Sequence, residues 1–312
     1  MKDFSTSARA ELARVWPGEA CCAKAELAGI LRAGGSLHLL GQNQLALSVR
    51  TEHADVARKI VQLLRAATGQ PAEVLVEEGG PLRRQRSYHV QLAPGPKVKR
   101  LLNELGILNG DGEISRQIPA PLVRKHCCQA SFLRGAYLIR GSVCDPRGPS
   151  YHLEIVAVNE EFGLGLCYLL NLARLKAHLV ERKGRHVVYL KDGDDIAGLL
   201  SLIGAQNARL ELEEVRVVKE VRGGVNRLVN AETANLGKSV AAAVEQVHLI
   251  ETLRDRGVLA DLPDSLRELA LARLANPEAT LSELGASLAK PASKSAVNHR
   301  LRRLRQYAEE LR

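Results

Sequence analysis

Aromatic side chains are scarce in this 312-residue chain, which has three Phe, six Tyr and one Trp. A core must therefore be assembled from Leu, Val, Ile and Ala, and binding of single strands by stacking bases on aromatic platforms is disfavoured. Long hydrophobic runs are also lacking. The opening MKDFSTSARAELARVW has no apolar stretch of leader length and no later segment approaches a membrane span, so a cytoplasmic protein without membrane contact is expected. Cysteine is present, but in poor spacing for a metal. Two adjacent pairs, Cys21-Cys22 and Cys127-Cys128, are joined by Cys144 and Cys167. Adjacent cysteines lack the two-residue gap that lets a turn present both sulfurs to one ion. The expectation is reduced, buried small residues at helix starts, with no metal site and no cofactor.

Acids are outnumbered. With 44 Lys and Arg against 35 Asp and Glu, the net charge of +9 favours an acidic partner such as nucleic acid. Length allows two ordinary domains, each burying its own core.

What is present, twice, is one phrase. CCAKAELAGILRAGGS (21–36) returns without a gap as CCQASFLRGAYLIRGS (127–142). Cys21, Cys22, Leu27, Gly29, Gly35 and Ser36 recur as Cys127, Cys128, Leu133, Gly135, Gly141 and Ser142. Identity at glycines and small residues means that backbone geometry is what repeats, and two copies imply a pseudo-twofold body. Small residues four apart, Ala25, Gly29 and Ala33 in one copy and Ser131 and Gly135 in the other, predict that the two helices pack closely against each other.

The surroundings repeat too. LALSVRTE reads as a strand, ADVARKIVQLLRAATG as a helix, and AEVLVEE and SYHVQL as strands about a turn at Gly79-Gly80-Pro81; VKRLLNELGIL is helical. In the second half YHLEIVAV is a strand, FGLGLCYLLNLARL a helix, AHLVERKGRHVVYL a hairpin turning at Lys183-Gly184, and DDIAGLLSLIG a helix. Each half therefore reads helix, two strands, helix, two strands, helix.

LAGILRAGG (27–35) and LRGAYLIRG (133–141) resemble the paired signature helices of LAGLIDADG homing endonucleases. That resemblance implies two helices at a pseudo-twofold axis above saddle-shaped sheets that lie on DNA, each helix ending in an acid that holds a divalent metal. Here those acid positions are Gly34 and Arg140, and the other signature aspartate maps to Arg32 and Leu138. Glycine offers no oxygen and a guanidinium repels a cation, so the scaffold is expected without the nuclease, and no catalytic residue is assigned. Asp145-Pro146 reads as a turn rather than a substitute ligand.

Residues 221–257 connect the repeat to the C-terminus. A helix is expected from about Ser239 to Gly257, and the earlier part concentrates Asn226, Arg227, Asn230, Asn235 and Lys238. These groups either touch DNA or cap and staple the junction. Basic clusters at Arg83, Arg84 and Arg86 and at Arg182, Lys183 and Arg185 are likewise either phosphate contacts or ordinary surface.

The C-terminal segment reads as three helices. LPDSLRELALARLANP stops at Asn276-Pro277, and TLSELGASL opens with a capping box, Thr280 with Glu283, and buries Leu281, Leu284 and Leu288. A short turn containing Pro291 leads into SKSAVNHRLRRLRQYAEELR, which completes a helix-turn-helix. On the last helix Val297, Leu301, Leu304 and Ala308 form the buried stripe. Ser295, Asn298, His299, Arg302, Arg303 and Gln306 then point outward, with Arg300 and Arg305 flanking. Between Lys290 and Arg305 lie six positive residues and no acid, whereas the rest of 259–312 holds seven acids and three bases. Charge gathered on the groove-entering helix is an electrostatic footprint for DNA, with arginine suited to guanine and asparagine or glutamine to adenine.

The degenerate LAGLIDADG-like body, the junction NRLVNAETANLGKSV and the helix SKSAVNHRLRRL together resemble the WhiA family of bacterial transcriptional regulators, from FSTSARAEL onward. Departures are Ala231 for a usual cysteine, Ser239 for threonine and Ala296 for glycine. The resemblance implies a sequence-specific, nucleoid-associated DNA-binding regulator of cell division, chromosome segregation and, where present, sporulation, with other regulators or RNA polymerase as further partners. The expected fold is α+β: a pseudo-twofold αββαββα repeat body (1–220, repeats about 1–115 and 116–220), a helical linker (221–258) and an all-α helix-turn-helix domain (259–312). The expected DNA contacts are Lys294, Ser295, Asn298, His299, Arg300, Arg302, Arg303 and Arg305. Two rival readings are an active metal-dependent endonuclease and a ligand-sensing regulator.

Overall fold

The computed structural model describes residues 3–40, 44–78 and 86–310. The turn expected at Gly79-Gly80-Pro81 lies outside them, as do Arg83 and Arg84. The chain divides into two compact units, Met1–Val218 and Lys219–Arg312.

The first unit opens with α1 (Phe4–Arg14), which buries Phe4, Ala8 and Leu12. Then the repeat begins: α2 (Ala20–Gly34), β1 (Gly35–Leu40), β2 (Gln44–Thr51), α3 (Ala54–Thr68), β3 (Glu73–Glu77), β4 (Ser87–Leu92) and α4 (Pro96–Glu104). A 3-10 turn at Ala120–Val123 leads to the second copy: α5 (His126–Arg140), β5 (Gly141–Val143), β6 (Leu153–Ala157), α6 (Glu160–Leu172), β7 (His178–Arg182), β8 (Arg185–Leu190) and α7 (Gly193–Ile203). Both copies are αββαββα, as the sequence predicts. Their antiparallel sheets have the same order, β1-β2-β4-β3 and β5-β6-β8-β7. Even the register repeats, since Gly35 pairs with Val49 as Gly141 pairs with Ile155. The β7-β8 hairpin turns where expected, with Lys183 and Gly184 both at positive φ, 53° and 71°, the geometry that matches the twist of the flanking strands.

The two signature helices form the spine of this unit. A Cβ added to Gly29 would overlap the carbonyl oxygen of Phe132 and lie 3.1 Å from the nitrogen of Ala136; one added to Gly135 would overlap the carbonyl oxygen of Glu26 and lie 3.0 Å from the nitrogen of Ile30. The small-residue spacing thus does what it predicts, bringing main chain against main chain. Around the spine, Leu27, Ile30, Leu31, Leu133, Ala136 and Leu138 join one continuous aliphatic core with residues of α3, α6 and α7.

Beside that axis sits an ionic group that no periodicity indicates. Glu26 of α2 is fully buried and its carboxylate pairs with Lys59 of α3 and with Arg134 of α5, whose Nη2 lies 2.7 Å from Oε2. Lys59 Nζ also donates to the carbonyls of Leu12 (2.9 Å) and Val15 (2.6 Å), and Arg134 Nη1 to that of Ile203 (3.1 Å). Every charge is therefore partnered, which is the condition for burying it. At the equivalent place in the second copy stands Phe132, packed edge-to-face on Phe162 at 6.2 Å.

The expectation of buried cysteines needs correction. Cys22, Cys128 and Cys167 are buried, Cys21 is half-buried, and Cys127 and Cys144 are exposed. On a helix start only one of two adjacent side chains faces the core, so each pair splits. Burial raises the pKa of Cys22, Cys128 and Cys167.

The connecting segment also differs from expectation. Instead of a helix from about Ser239, α8 runs unbroken over Gln206–Asp255, through Gly223-Gly224 and Gly237, and ends before Gly257 at φ 76°. The second unit continues with a 3-10 turn at Val258–Asp261, then α9 (Asp264–Ala275), α10 (Leu281–Ser287) and α11 (Lys294–Glu310). Its core joins Ile250 and Leu253 of α8 to Leu262, Leu266, Leu269, Leu284, Leu288, Val297, Leu301 and Leu304. Among the described residues no helix is long and apolar enough to cross a membrane.

Candidate nucleic-acid interface

α10 begins as its sequence dictates. The Thr280 amide donates to Glu283 Oε2 at 2.7 Å and the Glu283 amide donates to Thr280 Oγ1 at 3.3 Å, the reciprocal capping box. These bonds hold the Glu283 carboxyl below the usual carboxylate pKa. Arg273, buried near the end of α9, fastens the preceding loop by donating from Nη1 to the carbonyls of Ala279 (2.6 Å) and Pro277 (3.3 Å). At Gly285 the turn folds back so closely that a Cβ would overlap the Ala292 carbonyl oxygen, and the Ala292 amide donates to the Gly285 carbonyl at 2.9 Å. Arg273 and Gly285 set the helix-turn-helix and were not singled out by sequence. A glycine inside a short helix beside a Pro-containing turn was the available signal.

α11 is oriented by its stripe. Val297, Leu301 and Leu304 are buried and Ala308 packs partly against the same core. Lys294, Ser295, Asn298, His299, Arg302, Arg303, Arg305 and Gln306 are exposed, while Arg300 is half-buried at the edge. Among the described residues no hydrogen bond or ion pair engages Lys294, Arg300, Arg302 or Arg303. Arg305 is different: its Nη2 lies 3.1 Å from Glu245 Oε2 on α8, both side chains being largely exposed. The outward face therefore offers four uncompensated cations together with a hydroxyl, two amides and an imidazole.

The junction residues Asn226, Arg227, Asn230, Asn235 and Lys238 are all exposed on α8. Among the described residues no hydrogen bond or ion pair gives them a shared partner. In the body, Arg86 pairs with Glu78 at 3.3 Å, and Arg182, Lys183 and Arg185 are exposed at the tip of the β7-β8 hairpin.

At the signature positions no carboxylate stands. Gly34 is the last residue of α2, where a Cβ would lie 2.5 Å from Ile139 Cγ2. Arg140 Nε donates to the Ala33 carbonyl at 3.1 Å across the axis. Arg32 donates to the carbonyls of Ser115 (2.8 Å) and Gly106 (2.6 Å), and burial lowers its pKa to about 10. Asp145 accepts from the Arg147 amide at 2.8 Å and pairs with its guanidinium at 3.4 Å, the turn that its sequence predicts.

Three family profiles match in succession: a WhiA N-terminal LAGLIDADG-like domain at residues 20–108, a WhiA LAGLIDADG-like domain at 129–222 and a WhiA C-terminal HTH domain at 225–308. The chain is 44% identical over 306 residues to a probable cell division protein WhiA of Heliobacterium modesticaldum, covering 98% of this chain and 96% of that one. It is 43% identical over 293 residues to one of Bacillus velezensis, with 94% and 92% covered. Full-length WhiA from Thermatoga maritima superposes with a TM-score of 0.60 at 27% identity, over 99% of both chains. An N-terminal LAGLIDADG domain of WhiA, at 22% identity and a TM-score of 0.51, covers 69% of this chain and 97% of its own length and shares the fold.

Proposed function

The chain belongs to the WhiA family, and from that premise we propose that it is a sequence-specific double-stranded-DNA-binding regulator of cell division that does not cut the DNA it holds. The observation that carries this reading is the outward face of α11, where Lys294, Arg300, Arg302 and Arg303 have no acidic partner among the described residues. A helix whose buried stripe fixes that face in position is suited to the major groove. Arg302, Arg303, Asn298 and His299 face base edges there, while Lys294, Ser295, Arg300 and Arg305 lie toward phosphates. The role in cell division that the relatives' names carry comes to this chain by that kinship, and a DNA-binding regulator of that kind would act at the nucleoid.

The functional division follows 1–220, 221–258 and 259–312. Residues 259–312 read DNA, and a second surface comes from the body through Arg182, Lys183 and Arg185 or from the linker through Asn226, Arg227, Asn230, Asn235 and Lys238, for backbone contacts or for another regulator or RNA polymerase. The absence of nuclease activity is supported by Gly34 and Arg140 at the signature positions and by Arg32 being bound to main-chain carbonyls.

Titration of the intact chain against duplex DNA at several salt concentrations tests this. Neutralisation of about four to six phosphates gives a slope of log affinity against log salt near about −4 to −5, and a slope near zero overturns the reading. Supercoiled plasmid held with magnesium stays intact. Nicking that is lost on removal of one carboxylate would instead establish an endonuclease.

A further inference from the structure

We infer that the paired cysteines at the starts of α2 and α5 form a binding site for a single thiophilic metal ion, with zinc as the fitting probe. The sequence argues against this, because adjacent cysteines cannot chelate as a spaced pair does. The fold changes the question by placing the two pairs opposite one another, so that an ion would take ligands from two helices rather than from one turn.

The geometry is specific. The sulfurs of Cys21, Cys22 and Cys128 all lie within 4.8 Å of one another, and Cys127 precedes Cys128 in the first turn of α5. Around a zinc ion with bonds of about 2.3 Å, tetrahedral sulfurs stand about 3.8 Å apart, so small side-chain rotations close the set. Cys21 and Cys22 occupy the first turn of α2, as Cys127 and Cys128 do in α5. Both helix N-termini therefore direct amide dipoles at the cluster, where they would meet the negative charge of metal-bound sulfur. Lys125 adds to it, with Nζ 4.0 Å from Cys21 Sγ and 3.3 Å from Glu19 Oε2, and Cys21 donates to that carboxylate at 3.2 Å. Cys22 and Cys128 are buried against the core, whereas Cys21 is half-buried and Cys127 exposed. The site therefore has a packed floor and an open entry.

The chemistry balances without a co-reactant. Each thiol that ligates gives its proton to solvent, the metal keeps its charge, and no electron moves. Cys144 and Cys167 lie outside the cluster. An ion here would tie α2 to α5 at the end opposite Gly34 and Arg140, so it bears on the stability of the body and not on cleavage.

The test uses the intact chain, reduced and stripped of metal with a chelator. Cobalt(II) serves as the optical probe and zinc is then added to displace it. One cobalt per chain, with sulfur-to-metal charge-transfer bands and the visible bands of tetrahedral cobalt, is expected, and zinc should raise the melting temperature of the body. Cys22→Ser and Cys128→Ser should abolish the bands. Cys21→Ser, at a more accessible position, should weaken them in a protein whose circular dichroism is unchanged, and Cys144→Ser and Cys167→Ser should leave them intact. Absence of sulfur-to-cobalt bands in the reduced wild type, or bands of undiminished intensity in folded Cys21→Ser and Cys22→Ser, would overturn the assignment.

Discussion

Gly29 on α2 and Gly135 on α5 hold equivalent places across the pseudo-twofold axis, and each leaves room for the other helix's main chain. A Cβ on Gly29 meets the carbonyl of Phe132, and a Cβ on Gly135 meets the carbonyl of Glu26, its repeat equivalent.

Two effects of opposite sign compete when either is changed to alanine. Helix propensity favours Ala over Gly by about 1 kcal/mol, while forcing a methyl group into a filled interface costs about 1 to 3 kcal/mol. The obstacle is backbone and cannot rotate away, so overpacking prevails and Gly29→Ala or Gly135→Ala lowers the stability of the body. On α8 the same exchange at Gly237 has nothing within 4 Å of the added methyl. Gly237→Ala should therefore gain about 1 kcal/mol. Urea melts of the three variants check both signs.

Glu26 carries the balance of two buried cations. Removing its charge as Glu26→Gln leaves Lys59 and Arg134 with main-chain carbonyls and a hydroxyl but no anion. Breaking a buried pair in this way costs about 3 to 5 kcal/mol. The substitution should unfold the body at markedly lower urea, and Glu26→Asp, which keeps the charge but shortens the reach, should lose less. Equal losses would mean that packing rather than charge matters at this position.

Much of this was legible beforehand, for reasons that differ by element. The repeat and its strands are written in local patterns: the glycines of 21–36 and 127–142 fix helix contact, and alternation in SYHVQL and HVVYL fixes strands. The stripe Val297, Leu301, Leu304 fixes which side of α11 faces out. Glu26 was not legible, because a lone acid in an apolar helix gains meaning only when Lys59 and Arg134, distant in sequence, arrive beside it. α8 was underestimated because Gly223, Gly224 and Gly237 lower local propensity and its middle turns have no buried face to impose a period. The cysteine cluster is a product of the axis itself, which spacing along the chain cannot express.

Tyr137 supplies a pH test. Its hydroxyl is fully buried with no partner in hydrogen-bonding geometry among the described residues, and burial pushes its pKa up to about 12. A group whose folded pKa exceeds its unfolded value of about 10 adds stability that is whole below pH 10 and is lost as pH rises through about 12. Two units correspond to about 3 kcal/mol. Lys59, lowered by burial, acts in the opposite sense, but its window closes at its ordinary value of 10.5. Tyr137→Phe removes the tyrosine's titration together with its attraction to Arg9, so the stability difference between wild type and variant should be flat at neutral pH and move in favour of the variant between pH 10 and 12. A difference independent of pH across that range would contradict a buried, titrating hydroxyl.

The outward face of α11 divides its side chains by what each would lose. Arg302→Ala and Asn298→Ala remove groups placed for base edges, so each should cost about 1 to 3 kcal/mol on the preferred site and narrow the gap between preferred and random duplex. Arg300→Ala should weaken all duplexes alike and make the salt slope shallower by about 1. Arg305 is the informative exception, because Glu245 already holds it at 3.1 Å. An exposed pair of this kind is worth at most about 1 kcal/mol, so DNA can compete for the guanidinium, but only by displacing the carboxylate. Arg305→Ala should therefore cost less than Arg300→Ala. Glu245→Gln should tighten binding to every sequence by a few fold without sharpening specificity, read by anisotropy on matched and scrambled duplexes. If Glu245→Gln instead weakens binding, the ion pair positions α11 rather than restraining it, and Arg305 belongs to the scaffold and not to the DNA-facing surface.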